Sequence, residues 1–258
     1  MTGNVKPFYM VQLWLDVRGL FKLGRRLGLV QMRRPVDLQY LVHCALGELF
    51  QKQAPGPFSV EGNVQSGRWI RVLGYADDPW KKLCETAQLF ADPDIYALCD
   101  WERGASKPMP TLFQKGMRLG FNVRVCPVIR KASAGKSPAG RVWKSGQEID
   151  VFLSEAWSRP EAALSREAVY VEWLRRQMSR SGRGGAVVES ARIVRFGLEP
   201  MIRRTRGTPR QIVALIRPDV VFDGVLTITD GTAFLQALRH GIGRHRHFGY
   251  GMIKLRRA

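Results

Sequence analysis

The chain has 258 residues, enough for one large or two small domains, and its 41 Lys and Arg against 22 Asp and Glu leave a net charge of +19. The excess is uneven: residues 1–115 carry 15 basic and 11 acidic side chains, whereas residues 116–258 carry 26 and 11. This asymmetry points to a polyanion held by the second half. A membrane surface is disfavoured, because there is no lipidation signal, no long basic amphipathic helix and no apolar run long enough to span a bilayer.

Phe8–Asp16 reads as a first strand. Residues 17–35 hold Arg18, Lys22, Arg25, Arg26, Arg33 and Arg34 and read as a basic surface loop with at most a helical turn. Val36–Phe50 is the clearest helix, with Leu38, Leu41, Val42, Ala45, Leu46, Leu49 and Phe50 at helical spacing and Pro35 just before it. Tyr40 and His43 fall on the opposite face, three residues apart and therefore neighbours. On these grounds alone, His43 is most simply a surface histidine. Phe58–Val64 reads as a short strand, Arg68–Ala76 as a longer one and Asp77–Ala91 as a helix with Trp80, Leu83, Cys84, Ala87 and Phe90 on its apolar face. Ile95–Trp101 is a further strand candidate, which makes residues 8–101 a β-α-β-β-α-β unit with Arg103–Gly116 as connector.

Arg118–Arg130 alternates Leu119, Phe121, Val123 and Val125 with polar partners and opens the second half. Lys131–Asp150, with Lys131, Lys136, Arg141 and Lys144, reads as a flexible basic loop. Ser165–Met178 is a helix capped by Ser165, with Ala168, Val169, Trp173 and Leu174 as its apolar face. Two strands follow, VVESARIVRFGLEPMIRR and RQIVALIRPDVVFDGVLTI, the second ending in the strand Val220–Asp230. A helix Thr232–His240 comes next, capped by Asp230 or Thr232, then a glycine-rich loop and a closing strand Met252–Arg256. The expected fold is α+β, with two tandem ferredoxin-like (RRM-like) domains over residues 1–115 and 116–258.

The loop GIGRHRHFGYGM spans Gly241–Met252. Its glycines let backbone N–H groups approach a ligand, and its arginines suit phosphate. It is no dinucleotide fingerprint, since it follows a helix, and no P-loop, since it lacks Gly-Lys-Ser/Thr. A phosphate cradle and a glycine-softened connection with solvated charges remain the alternatives. Cys44, Cys84, Cys99 and Cys126 form no C-x-x-C pair, and their spacing suits reduced thiols. With no signal-peptide core in MTGNVKPFYM, the expectation is a cytoplasmic protein.

FDGVLTITD, the short helix and HGIGRHRHFGYGMIKL together resemble the C-terminus of the CasE family, the CRISPR repeat-processing endoribonucleases of type I-E Cascade. Tyr40-Leu-Val-His43 followed by CALGELF resembles that family's Tyr-x-x-His helix. The resemblance implies that His43 is catalytic and Tyr40 its partner. It further implies that a repeat hairpin RNA is held by Arg34, Arg124, Arg130, Lys131, Lys136, Arg141, Lys144, Gly241, Gly243, Arg244, His245 and Arg246. One departure is Cys126-Pro127, where the family's arginine-rich strand ends in Asn-Pro. Cleavage at the 3′ base of the hairpin, retention of the mature crRNA and association with other Cascade subunits are also implied.

The acidic residues are few and scattered and no HExxH motif occurs, so no metal ligands and no small-molecule cofactor are expected. Cleavage by the RNA's own 2′-hydroxyl fits what is present. An imidazole moves the proton, a tyrosine hydroxyl orients, and amides and arginines stabilise the charged phosphorane. Two rivals are a repeat-RNA-binding Cascade subunit that does not cut and a general double-stranded RNA or DNA binder.

Overall fold

The computed structural model describes residues 6–31, 35–62, 67–204 and 212–258. The first unit runs β1 (Tyr9–Asp16), α1 (Val17–Arg26), α2 (Leu38–Phe50), β2 (Phe58–Glu61), β3 (Trp69–Ala76), α3 (Trp80–Phe90), α4 (Pro93–Tyr96) and β4 (Ala105–Pro108). Its strands form an antiparallel sheet in the order β2-β3-β1-β4. The alternation of β1 buries Val11, Leu13 and Leu15 completely, and α2 lays Val42, Ala45, Leu46, Leu49 and Phe50 against them. At about 1.5–3 kcal/mol per fully buried large side chain, this stripe is what fixes α2 on the sheet.

The second unit runs β5 (Arg118–Val125), β6 (Val128–Arg130), β7 (Gly135–Lys136), β8 (Val142–Trp143), β9 (Glu148–Asp150), α5 (Val151–Ser158), α6 (Arg166–Met178), β10 (Ala186–Arg204), β11 (Ile212–Ile228), α7 (Gly231–His240) and β12 (Ile253–Arg257). Its main sheet, again antiparallel, has the order β10-β11-β5-β12. Both sheets therefore have the fourth strand beside the first and the third beside the second, the ferredoxin-like arrangement in tandem.

Several expectations change. Residues 17–26 are a two-sided helix rather than a loop: the Asp16 carboxylate accepts from Arg18 N and Gly19 N, and Val17, Leu20 and Leu23 are buried. Gly24 sits where a Cβ would come within 2.7 Å of a Leu41 side-chain methyl, so the α1 backbone packs directly on that leucine of α2. Pro93 starts a single helical turn where Ile95–Trp101 was expected to be a strand, and only a Leu15–Cys99 bridge remains there. The fourth strand is Ala105–Pro108, inside the expected connector; its polar sequence sits on a sheet edge and lacks any alternation. Phe90 and Ala168, assigned to apolar faces, are exposed. Instead of a flexible loop, Lys131–Asp150 holds the β7–β8 ribbon and ends in β9, which pairs back on β6. Residues 63–64 of the second expected strand lie outside the described residues.

The two units are joined by specific contacts. Tyr75 Oη donates to Ile253 O at 2.8 Å, and Lys254 pairs with Glu61 at 2.6 Å. β11 pairs with β5 over Val220–Thr227 alone, so the β10–β11 hairpin extends beyond the sheet. Its outer end packs Ile202 on Leu29 and Leu41. Asp37 ties this end to α2: Oδ1 accepts from Tyr40 N at 2.9 Å, capping the helix, and Oδ2 accepts from Ile202 N at 2.8 Å. Asp37→Ala removes both acceptors and is expected to cost about 2–4 kcal/mol in urea unfolding, the sum of a lost cap and a buried unpaired N–H. Asp37→Asn keeps one carbonyl oxygen and should recover about half of that loss. A loss below about 0.5 kcal/mol for Asp37→Ala would remove Asp37 as the tie between the units.

Candidate active site

α2 presents Tyr40 and His43 away from its core stripe, with ring centroids 5.8 Å apart. The glycine loop comes to them. His245 adopts a left-handed conformation (φ 63°), and a 3-10 turn over Arg246–Phe248 then swings Phe248 onto the helix. Phe248 stacks on Tyr40 at 5.5 Å and meets His43 edge-on at 4.8 Å. From the far end of β10, the Arg203 guanidinium lies 4.2 Å from the centroid of the Phe248 ring and also contacts His245 Nδ1. Helix, loop and hairpin thus converge on one aromatic ring. The glycines permit this approach: a Cβ on Gly249 (φ 77°) would lie 2.1 Å from Gln39 Oε1, and one on Gly251 (φ 80°) would lie 2.3 Å from Ile242 O.

The electrostatics follow from this packing. Burial lowers the His43 pKa below the ordinary histidine value, and the nearby His247 and Arg203 lower it further. At neutral pH the imidazole is therefore uncharged and can accept a proton. On the other side of the loop, Glu148 from β9 receives Arg244 Nε at 2.6 Å, lies 3.0 Å from His245 Nε2 and 3.8 Å from Arg217 Nε. Burial alone would raise the Glu148 carboxyl, but His245 and Arg244 bring it down to about 2. A cavity of about 410 Å³, lined by Arg203, Arg244, His245 and His247, opens beside this carboxylate. Arg246 Nη1 donates to His240 O at 2.9 Å, fastening the loop to the end of α7.

The other sequence candidates are placed as follows. Gly241 and Gly243 both have positive φ, and a Cβ on Gly241 would lie 2.8 Å from Gly251 O. Arg124 is taken up in a bidentate pair with the fully buried Asp219, at 2.6 and 3.0 Å, and lies 4.7 Å from the Tyr250 ring centroid. It lines a cleft of about 670 Å³ between the units, apart from His43. Arg130 is exposed and donates to Gly146 O; Lys131 donates to Ser154 Oγ at 3.0 Å and lies over Trp143. Lys136, Arg141 and Lys144 are exposed on or beside the β7–β8 ribbon. Arg34 lies outside the described residues.

Residues not singled out in the sequence are Arg203, Phe248, Glu148 and the arginines around the end of α6. Arg176, Arg180 and Arg183 line a cleft of about 540 Å³ with Arg130, Arg244 and Arg246. The last group had a legible signal, the run WLRRQMSRSGRGG, whereas Arg203 and Phe248 become neighbours only through tertiary folding. Among the described residues, no group of three or more His, Cys, Asp or Glu is placed to hold a metal ion, and no helix is long and apolar enough to cross a membrane.

Two ferredoxin-like units in tandem, the second closing a glycine-rich, arginine-bearing loop over a Tyr-His helix of the first, define the class of protein. The chain belongs to the CRISPR-associated protein family, whose model matches residues 8–257. Among solved structures it is similar to CRISPR endoribonuclease Cse3 bound to a 19-nucleotide RNA, with TM-score 0.60, 18% identity and coverage of 96% of this chain and 99% of the other. It is similar to Cas6e of Escherichia coli K-12, with TM-score 0.57, 20% identity and coverage of 97% and 100%. A chain of a CRISPR RNA-guided surveillance complex aligns with TM-score 0.51, 17% identity and coverage of 97% and 100%. At these identities the likeness is one of fold. Curated protein sequences gave no match.

Proposed function

We propose that this chain is an endoribonuclease that cuts CRISPR precursor RNA at the 3′ base of the repeat hairpin without a metal ion, and that it stays bound to the mature crRNA as a cytoplasmic Cascade subunit. The observation that carries the reading is the convergence of His43 and Tyr40 with the glycine loop and Arg203. Likeness in fold to an endoribonuclease solved with RNA, and to a chain of a surveillance complex, supports it.

In this reading His43 takes the proton of the 2′-hydroxyl, which Tyr40 orients. The freed electron pair attacks phosphorus, and the P–O5′ bond breaks. The departing 5′-oxygen leaves as a hydroxyl, taking a proton from the medium or from the imidazolium, and the other product ends in a 2′,3′-cyclic phosphate. Arg203, Arg246 and the loop amides stabilise the charge that builds on the phosphorane. The test is cleavage of the cognate repeat RNA in excess EDTA, where the rate is expected to stay within about twofold of that in magnesium. Loss of cutting in the chelator, restored by magnesium, overturns the metal-free chemistry.

A second reading, a repeat-RNA-binding subunit that does not cut, is favoured by one observation: Phe248 packs against the His43 ring in an edge contact with centroids 4.8 Å apart. It requires binding of the hairpin with no cleavage under any condition.

A further inference from the structure

Three cavities form one trough. The arginine-lined cleft of about 540 Å³ shares Arg183 and Arg246 with a second cavity of about 350 Å³. The second shares Gly56, Gln236, Arg239 and His240 with a third of about 900 Å³, which reaches Lys6, Lys52 and Lys82 on the first unit. The trough thus starts on the second unit, passes the glycine loop beside His247 and ends on the first unit beyond the end of α2.

Its charge is graded. The first section holds six arginines against Glu155, which is itself paired with Arg159. In the last section Asp77 is shared by Lys6 at 2.8 Å and Arg239 at 3.1 Å, Asp78 pairs with Lys82 at 2.7 Å, and Lys52 adds a further cation. Four cations, three from the first unit and Arg239 from the second, thus face two carboxylates there, a modest surplus. A duplex carries about one charge per 1.7 Å of axis, and a single strand about half as much. The arginine section suits the denser polyanion and the lysine section the sparser one. The middle section has room for about one nucleotide, not for a duplex.

We propose that the single-stranded RNA 3′ of the cut lies in this trough, running from Arg246 past Arg239 and His240 to Lys52 and Lys82. The inference rests on the proposed function, because the hairpin must sit 5′ of the cut for its 3′ strand to enter here. Before cleavage the trough adds phosphate contacts that hold the substrate. After cleavage the 3′ fragment keeps only these contacts and departs, while the hairpin remains on the arginine section. Substrate and product are thereby distinguished by one stretch of surface.

The experiment uses the full chain and hairpin RNAs with a 2′-deoxy residue at the cut: one ending just beyond it, one extended 3′ and one extended 5′, each extension of about eight nucleotides, within the usual range of single-strand site sizes. The 3′ extension is expected to tighten Kd about tenfold and to steepen the salt dependence by about 2 logarithmic units per decade, as three engaged phosphates would. Lys52→Glu/Lys82→Glu is expected to remove most of that gain. The ratio of Kd values for the long and short RNA is the readout, so any general weakening cancels. Lys52→Ala/Lys82→Ala replaces it should the reversed charges unfold α3, as judged by circular dichroism. A wild-type gain below twofold, a gain that survives both variants, or a gain from the 5′ extension alone overturns the trough assignment. If folded protein binds none of the hairpins, the proposed function fails and the inference falls with it. If it binds the 2′-deoxy hairpins and cuts the unmodified repeat RNA but gains nothing from the extension, only the inference fails.

Discussion

His43→Ala is expected to slow cleavage of the repeat RNA by about two to four orders of magnitude, the scale of general acid–base catalysis, while the hairpin is bound much as before. The core of α2 is made by Leu41, Val42, Ala45, Leu46, Leu49 and Phe50, and His43 is not part of it. Its main neighbours are Tyr40 and Phe248, which stack on one another with or without it. The cations proposed to meet phosphate come from other elements, so affinity and cutting should separate. The pH profile gives a second readout. A base must be unprotonated, and burial holds His43 below the ordinary histidine value. Cleavage should therefore persist at pH 6.5 and fall as the pH drops through the lowered pKa, and His43→Ala should lose that acid limb. His245 and His247 are the competitors, since both lie in the loop. Normal cutting by His43→Ala, with cutting lost in His245→Ala or His247→Ala, would move the base from the helix to the loop.

The parts legible in the sequence are those whose cause is local. α2 shows its apolar stripe in seven residues, α6 shows its Ser165 cap, and the last strand, helix and loop read off directly from β-branched runs and glycines. Tyr40 and His43 could be placed on one face by geometry alone, although their convergence with the loop could not. α1 was obscured because four cations between Arg18 and Arg26 read as solvated loop, whereas its three buried aliphatics are spaced for a helix. β4 carries no signal, because a four-residue polar edge strand is held by its partner β1 and not by its own side chains. Arg203 reaches Phe248 only because the β10–β11 hairpin overruns its sheet, a feature set by pairing over seventeen register positions rather than by any motif. Glu148 is the opposite case. It stood in plain view within a basic segment, but its role as counter-charge to Arg244 depends on the β6–β9 ribbon.

Asp219→Ala is expected to destabilise the protein by about 3–5 kcal/mol, because it leaves a desolvated guanidinium without its counter-charge. Asp219 is 0% exposed and bonds Arg124 through two nitrogens, with Arg195 at 2.9 Å on the same carboxylate. The Arg124 side chain is only 14% exposed and lies against Tyr250, so it cannot simply rotate into water. At this chain length about 1 kcal/mol corresponds to 2–4 °C, which puts the expected fall in Tm at roughly 6–20 °C. Tyr250 belongs to the glycine loop, and cutting should decline along with stability. Arg124→Met/Asp219→Leu separates the possibilities, since apolar residues of similar volume can replace a buried pair at little cost. If that double variant regains most of the stability and binds the hairpin as the wild type does, Arg124 is a strut beneath the loop. If it is stable but binds at least tenfold more weakly, Arg124 reaches the RNA, as its position on the arginine-bearing strand suggested from sequence. A loss under about 1 kcal/mol for Asp219→Ala would show that water reaches the pair and that the loop does not depend on it.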